Sequence, residues 1–166
     1  RDYKVTGVQK CALPISMTAF NSSIPWRALI ESMTLLDSHD TARMRNVVGG
    51  DKEKHLAAMG MLLTYPGVPS IFAGDELGLE GAWGEDARRT MPWDEKWDVE
   101  FLDHVKTLIK VRKNAPALIE GGLRWVDVDD DYLLYLRESK KQNLLILVAR
   151  DKCTVNIDLK IGRAHV

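Results

Sequence analysis

Leu36-Asp37-Ser38-His39-Asp40-Thr41 closes an apolar run, Ser32-Met33-Thr34-Leu35-Leu36, with the length and composition of a buried strand. Three polar side chains, Asp37, His39 and Asp40, arrive together where that strand ends. A second apolar run, Val68 to Ala73, lies between Pro66-Gly67 and Gly74 and leads into Asp75-Glu76. Between the two runs the period changes. Gly49-Gly50 marks a break, Asp51 suits an N-cap, and Leu56, Met59, Leu62 and Leu63 fall on one helical stripe. Strand, helix and strand in that order imply parallel pairing. Ser32–Leu36 is then expected beside Val68–Ala73, with the Asp51–Leu63 helix crossing right-handedly between them. His39, Asp40 and Asp75 would share one edge. In barrels of alternating strands and helices, the C-terminal strand edge is where active sites are built.

Outward from this unit the pattern extends both ways. Phe20 to Ile30, around Pro25-Trp26, reads as the helix or loop before the first strand. Gly74 to Trp97 is rich in Gly, Asp, Arg and Trp and is too long for an ordinary connection, a property of functional loops. Asp98 suits the cap of a further helix, with Leu102, Val105, Leu108 and Ile109 as its stripe and Asn114 and Pro116 at its end. Past Ala117 the character changes to short strands with polar turns: Leu123–Val128, Tyr132–Leu136, Asn143–Val148 and Thr154–Leu159. The expected fold class is α/β plus β, a strand–helix–strand–helix part over 17–116 joined to an antiparallel sheet over 117–159.

The two termini read differently. Lys10-Cys11-Ala12-Leu13-Pro14-Ile15 and the C-terminal Lys160-Ile161-Gly162-Arg163-Ala164-His165-Val166 can be back-translated as inverted copies of one DNA segment, a single base change apart. That segment resembles a sequencing adapter. Residues 1–16 and 160–166 are therefore expected to be non-native, leaving about Met17 to Leu159 as natural sequence without its true ends.

Composition narrows the function class. The 166 residues carry 23 Lys and Arg against 24 Asp and Glu, a net charge of −1, with no basic stripe, which argues against a nucleic-acid partner. No apolar stretch approaches the ~20 residues that span a bilayer, so no membrane partner is expected. Of the two cysteines, Cys11 lies in the suspect terminus and Cys153 stands alone, so neither a disulfide framework nor a zinc pattern arises. A lone cysteine favours a reducing compartment, and a cytoplasmic location is expected. Asp129-Asp130-Asp131 lacks the glycine and the final glutamate of a calcium loop and reads as a turn. Neither a metal nor a cofactor is expected. Oligomeric state is not legible.

The strand-end residues admit two readings. His39 and Asp40 can both reach the hydroxyls of a sugar; equally, Ser38 or Asp40 can cap backbone amides in a polar turn. Ser38, His39 and Asp40 also spell a Ser-His-Asp triad, but adjacent residues rarely form one, because its members must converge from separate elements. Asp75-Glu76, two carboxylates at a strand end, suggests acid–base chemistry; the resemblance described below implies instead an organiser of the long loop. Trp83, Trp93 and Trp97 could stack on sugar faces, although packing of the loop is the commoner fate of Trp.

Four ordered segments carry a family resemblance. Leu36–Thr41 resembles the fourth signature of the alpha-amylase family of glycoside hydrolases, with Ser38 where most members have Asn, as in some neopullulanase-like and alpha-glucosidase-like members. Pro66-Gly67-Val68-Pro69-Ser70-Ile71-Phe72-Ala73-Gly74-Asp75-Glu76-Leu77-Gly78 resembles the stretch on that family's eighth barrel strand. Arg88-Arg89-Thr90-Met91-Pro92-Trp93-Asp94 resembles its Arg-Arg-x-Met-Pro-Trp segment, and Arg112 to Leu118 resembles the exit into its C-terminal sheet domain. The resemblance implies strands 7 and 8 of a (β/α)8 TIM barrel followed by part of a β-sandwich. It implies Asp40 as the third catalytic carboxylate, which stabilises the transition state, with His39 on the same sugar. Arg43 would support that subsite, and Arg88, Arg89 and Asp86 would reach sugar further out; a solvated basic pair is the other reading of the two arginines.

The implied substrate is an alpha-glucan or maltooligosaccharide. A retaining glycosidase also needs a nucleophile and an acid–base carboxylate ~5–5.5 Å apart, which the family places on its fourth and fifth strands. Neither strand is recognisable in the sequence, so the chain is expected to be an inactive fragment of such a hydrolase. An alpha-glucan transferase of the same family and a non-catalytic carbohydrate-binding domain are the alternatives.

Overall fold

The computed structural model describes residues 12–93 and 97–157. Two helices open the described chain, α1 (Ala12–Ser22) and α2 (Trp26–Glu31). Strand β1 (Met33–Thr34) follows, then a short helix α3 (Met44–Val47) and the long helix α4 (Lys52–Thr64). Strand β2 (Val68–Pro69) leads into the long loop, which contains two 3-10 turns, Asp75–Leu77 and Gly84–Arg88. Helices α5 (Val99–Asn114) and α6 (Pro116–Glu120) lead to β3 (Gly122–Val128), β4 (Tyr132–Glu138) and β5 (Asn143–Ala149).

β1 and β2 are parallel and adjacent, with Met33 opposite Val68 and Thr34 opposite Pro69. The expected strands, Ser32–Leu36 and Val68–Ala73, are each cut to two residues. Pro69 has no N–H to give to a ladder, and Leu36 and Ile71 leave the strand line to pack against the core. That core is Met59 and Leu62 of α4 against Phe101 and Val105 of α5. Both helices start at the expected caps. Asp51 Oδ1 accepts the amide of Lys54 at 3.0 Å, and Asp98 Oδ1 accepts that of Phe101 at 3.2 Å. A Lys52–Asp98 ion pair ties the two starts together.

The stripes differ in detail from the sequence reading. On α4 the buried set is His55, Met59, Leu62 and Leu63, with Leu56 only part-buried. On α5, Phe101 and Val105 are buried, while Leu108 and Ile109 pack at the margin.

β3, β4 and β5 form an antiparallel meander with a bulge between Trp125 and Asp127. The expected strand Thr154–Leu159 is corrected: residues 154–157 are not in a strand, and 158–159 lie outside the described residues. β-propensity expresses fit to a half-buried surface, and Thr154, Asn156 and Ile157 are all exposed.

The helical and sheet parts meet through a buried arginine. Arg137 of β4 is fully buried, and its guanidinium donates to the carbonyls of Thr64, Leu118, Gly121 and Gly122. Beside it the Thr64 and Tyr135 hydroxyls share a hydrogen bond of 2.5 Å. At the other terminus α1 begins inside the stretch expected to be non-native, and Pro14 is buried. Residues 1–11 and 158–166, which hold the rest of the adapter-like stretches, lie outside the described residues.

Candidate active site

Past Thr34 the chain turns within a few residues. Thr41 Oγ1 accepts the amide of Ser38 at 2.9 Å, and Ser38 Oγ accepts that of Asp40 at 3.3 Å. Ser38 and Thr41 thus do the turn's capping, which leaves the Asp40 carboxylate free of it. That carboxylate sits 3.3 Å from His39 Nε2 and 3.2 Å from Arg88 Nη2. Arg88 Nε also donates to the carbonyl of His39 at 3.0 Å. The three side chains are 64 %, 68 % and 50 % exposed for His39, Asp40 and Arg88, so the cluster faces solvent. Two hydrogen-bond acceptors, a ring nitrogen and a guanidinium on one open edge can hold the hydroxyls of a sugar.

Beneath this cluster lies a buried one. Asp37 is 4 % exposed, Arg43 1 % and Asp75 2 %. Asp37 Oδ2 accepts the amide of Met44 at 2.5 Å, tying the strand end to the start of α3. Arg43 Nη1 donates to Asp75 Oδ1 at 2.9 Å and Arg43 Nε to the carbonyl of Ala87 at 2.9 Å, while the guanidinium lies 4.2 Å from the centre of the Phe72 ring. Arg43, expected among the substrate-binding residues as a support of the subsite, is thus itself buried. Its side chain points inward and joins the ends of both strands to the residue before Arg88.

Burial, and after it the neighbouring Asp37 carboxyl, push Asp75 up to about 8. Glu76 Oε2 accepts the amide of Gly74 at 2.8 Å, an organising bond at the start of the long loop.

Asp86 and Arg89 pair with each other. Asp86 Oδ1 lies 2.7 Å from Arg89 Nη2, and Asp86 Oδ2 accepts the amide of Ala82 at 2.6 Å. These bonds, the backbone one first, hold the Asp86 carboxyl below its ordinary range. No hydrogen bond joins either residue to His39 or Asp40 among the described residues. Arg89 instead lines a cleft of about 390 Å³ with Arg45, Glu80, Trp97 and Asp98. A larger cleft, about 940 Å³, is lined by Lys54 and by Asp129 to Leu133 and contains none of the candidate residues. Trp83 and Trp93 are 71 % and 72 % exposed, although the Trp93 ring lies 6.0 Å from that of Trp97, whose Nε1 donates to the carbonyl of Pro92 at 2.7 Å.

Two buried groups escaped the sequence reading. His55 is fully buried against Phe101, with ring centroids 5.0 Å apart and neither ring nitrogen hydrogen-bonded. Burial, with help from the Arg45 charge, drives it down to about 4. The Arg45 guanidinium also lies over the Phe101 ring, 4.7 Å from its centroid. Burial lowers its guanidinium too, against the opposing pull of Asp98, Glu80 and Asp51. The signal for His55 was available: it stands one helical turn before Met59, on the buried stripe. No group of three or more His, Cys, Asp or Glu able to hold a metal occurs among the described residues. No helix there is long and apolar enough to cross a membrane.

The family profile "Alpha amylase, catalytic domain" matches residues 3–132. The chain belongs to the alpha-amylase family. It is 34 % identical over 142 residues to a cyclomaltodextrinase of Geobacillus thermopakistaniensis, which covers 84 % of this chain and 24 % of that protein. It is 40 % identical over 102 residues to neopullulanase 2 of Thermoactinomyces vulgaris, covering 61 % of this chain and 17 % of the other. Among solved structures it superposes on the cyclic alpha-maltosyl-(1→6)-maltose hydrolase of Arthrobacter globiformis with a TM-score of 0.79 and 31 % identity, over 85 % of this chain and 32 % of that one. The chain thus spans about a quarter of the length of the cyclomaltodextrinase it matches. It carries part of the family's TIM-barrel fold, followed by a three-stranded antiparallel sheet.

Proposed function

We propose that this chain is the part of a retaining alpha-glucan hydrolase that grips the sugar at the cleavage site. The observation that carries the reading is the open cluster of His39, Asp40 and Arg88 at the C-terminal edge of β1. Asp40 is the supporting carboxylate. It holds sugar hydroxyls more tightly as positive charge builds at the anomeric carbon, and only such differential binding speeds the reaction. His39 bonds the same sugar. Arg88 orients Asp40 and contacts the next sugar, with Arg89 and Asp86 further out. Arg43 supports the cluster from below.

On this reading β1 and β2 are the seventh and eighth barrel strands, residues 17–116 are the end of the barrel, and β3 to β5 begin a C-terminal β-sandwich. The substrate is a maltooligosaccharide or a cyclic dextrin, the class named for the relatives. A cytoplasmic location belongs to the same reading; Cys153, alone in the natural stretch, favours a reducing compartment. The nucleophile and the acid–base carboxylate belong to strands outside this chain, so the chain alone does not turn over.

The test is made in the full-length enzyme that contains this chain. Asp40→Asn is expected to lower kcat and kcat/KM together, the signature of a contact made only in the transition state. The 166-residue chain, given maltooligosaccharides, is expected to release no glucose or maltose. A mild Asp40→Asn phenotype, or turnover by the chain itself, would place the site elsewhere.

A further inference from the structure

The ends of β1 and β2 bury two carboxyls and one guanidinium in one place. Asp37, Asp75 and Arg43 are each at least nine-tenths buried. Asp75 Oδ1 accepts from Arg43 at 2.9 Å. Asp37 Oδ2 accepts from the amide of Met44, but Asp37 Oδ1 is buried with no donor bonded to it. Asp37 is the carboxyl that acts on Asp75 from beside it, second only to burial in raising it. A buried acceptor left unmet is costly, and two carboxylates sharing a dry site do not both ionise. One proton between them removes both difficulties.

We propose that Asp37 and Asp75 share a single proton at neutral pH. Asp75 is the carboxylic acid: its O–H donates to Asp37, its other oxygen accepts from Arg43, and the Asp37 carboxylate balances the Arg43 charge. The pair locks the loop after β1 to the loop after β2. Arg43 then reaches the Ala87 carbonyl, and Ala87 precedes Arg88, which meets Asp40. Asp37, Arg43 and Asp75 are positioning residues. That part of the inference rests on the proposed function, whereas the shared proton does not.

The direction of the Asp75 shift agrees with this arrangement, burial being its first cause and Asp37 its second. The charged and titratable groups acting on the pair are Arg43 before α3 and His55 on α4, and Arg45 on α3 acts in turn on His55. His55, driven down to about 4, is neutral near pH 7 and leaves the charge balance unchanged.

Carboxyl carbon NMR of the intact chain, labelled at Asp, tests the proposal without any activity. One signal is expected to keep the position of a protonated acid at pH 7 and to move only near pH 8, as a coupled pair does. Asp75→Asn should remove that signal. Its carboxamide can still donate to Asp37 and accept from Arg43, so the Arg88 Nε–H resonance should stay in place. Asp75→Ala breaks both bonds and should shift it. If every Asp carboxyl is already ionised at pH 6.5, the shared proton does not exist; this wild-type result stands even where a variant fails to fold. If Asp75→Asn moves the Arg88 resonance as far as Asp75→Ala does, the positioning role is lost. Normal turnover of an Asp40→Asn enzyme would overturn the functional reading and leave this titration untouched.

Discussion

At its N-terminal end, helix α4 faces carboxylates and cations that pair with one another. At its C-terminal end it faces two arginines that form no ion pair among the described residues. Arg112 of α5 donates to the carbonyls of Leu63, Tyr65 and Gly67, and Arg137 of β4 to those of Thr64, Leu118, Gly121 and Gly122. A helix C-terminus exposes unmet carbonyls and the negative end of the dipole. A planar guanidinium can meet several carbonyls at once. Burial, together with the nearby Arg112 charge, brings Arg137 down to about 10, which still leaves it charged at neutral pH. At the opposite end the buried Asp37–Arg43–Asp75 cluster neutralises itself and leaves His39, Asp40 and Arg88 open to solvent. One end spends its polar groups on cohesion, and the other keeps them available. In a barrel these are the stability face and the active face.

The largest expected effect lies at the cohesive end. Arg137→Met should lower the unfolding free energy of the chain by about 3 kcal/mol or more in urea titrations, because buried carbonyls lose a charged donor. Arg137→Lys should regain less than half, since one ammonium cannot meet the same carbonyls together. A loss under about 1 kcal/mol would erase the distinction between the two ends.

Gly67 probes the same end. Its φ is +127°, and an added Cβ would come within 2.5 Å of Thr34 Cγ2 and 2.9 Å of the Ser32 carbonyl. Gly67→Ala should therefore destabilise by about 2 kcal/mol, the scale of a residue forced into a rare backbone region. An unchanged midpoint would mean that β1 and β2 can part without penalty.

The paired end should announce itself through pH. Asp75 titrates at about 8 when folded against an ordinary 3.8, so its contribution is complete in acid and is lost as pH rises toward 8. His55 runs the other way: at about 4 when folded against 6.5, it gives stability above 6.5 that is lost as pH falls toward 4. The two slopes oppose each other between about 4 and 6.5, and only the Asp75 slope remains between 6.5 and 8. Stability should fall across that upper window by up to ~1.4 kcal/mol per pH unit. Asp75→Asn should flatten the upper window and expose the His55 slope below it. A wild-type profile that rises from pH 6.5 to 8 would contradict the buried acid.

The smallest effect belongs to the open cluster. Asp40→Asn and Arg88→Gln should each shift the unfolding free energy by no more than about 0.5 kcal/mol, as exposed ion pairs do. A larger loss would make the cluster a structural brace rather than a substrate grip.

Much of this is legible in the sequence. Asp51 and Asp98 read as caps because a short acid before an apolar stripe has few other uses, and both accept the expected amides. The parallel pairing followed from two apolar runs separated by a helix, and the placement of His39 and Asp40 at its edge followed from where the first run stops. The strand lengths were not legible, because Pro69 and the inward turn of Leu36 and Ile71 act only once the core exists. Thr154–Leu159 misled for a related reason: alternation creates a face, but among the described residues only Val155 of that face is even half-buried.

The sequence by itself determined the local choices: which residues cap, which stripes turn inward, and which polar groups the chain delivers to a strand end. Those choices depend on neighbours a few positions away. Tertiary structure alone decided the fate of the arginines. Arg43 and Arg88 read alike in the chain, yet one is sealed against Asp75 and Phe72 and the other stands open beside Asp40. Arg137 alternates along β4 like any strand residue, and only the convergence of the α4 and α6 C-termini with the start of β3 gives it carbonyls to hold. A guanidinium is long and carries five donors, so its partner is set by whatever the fold brings within reach.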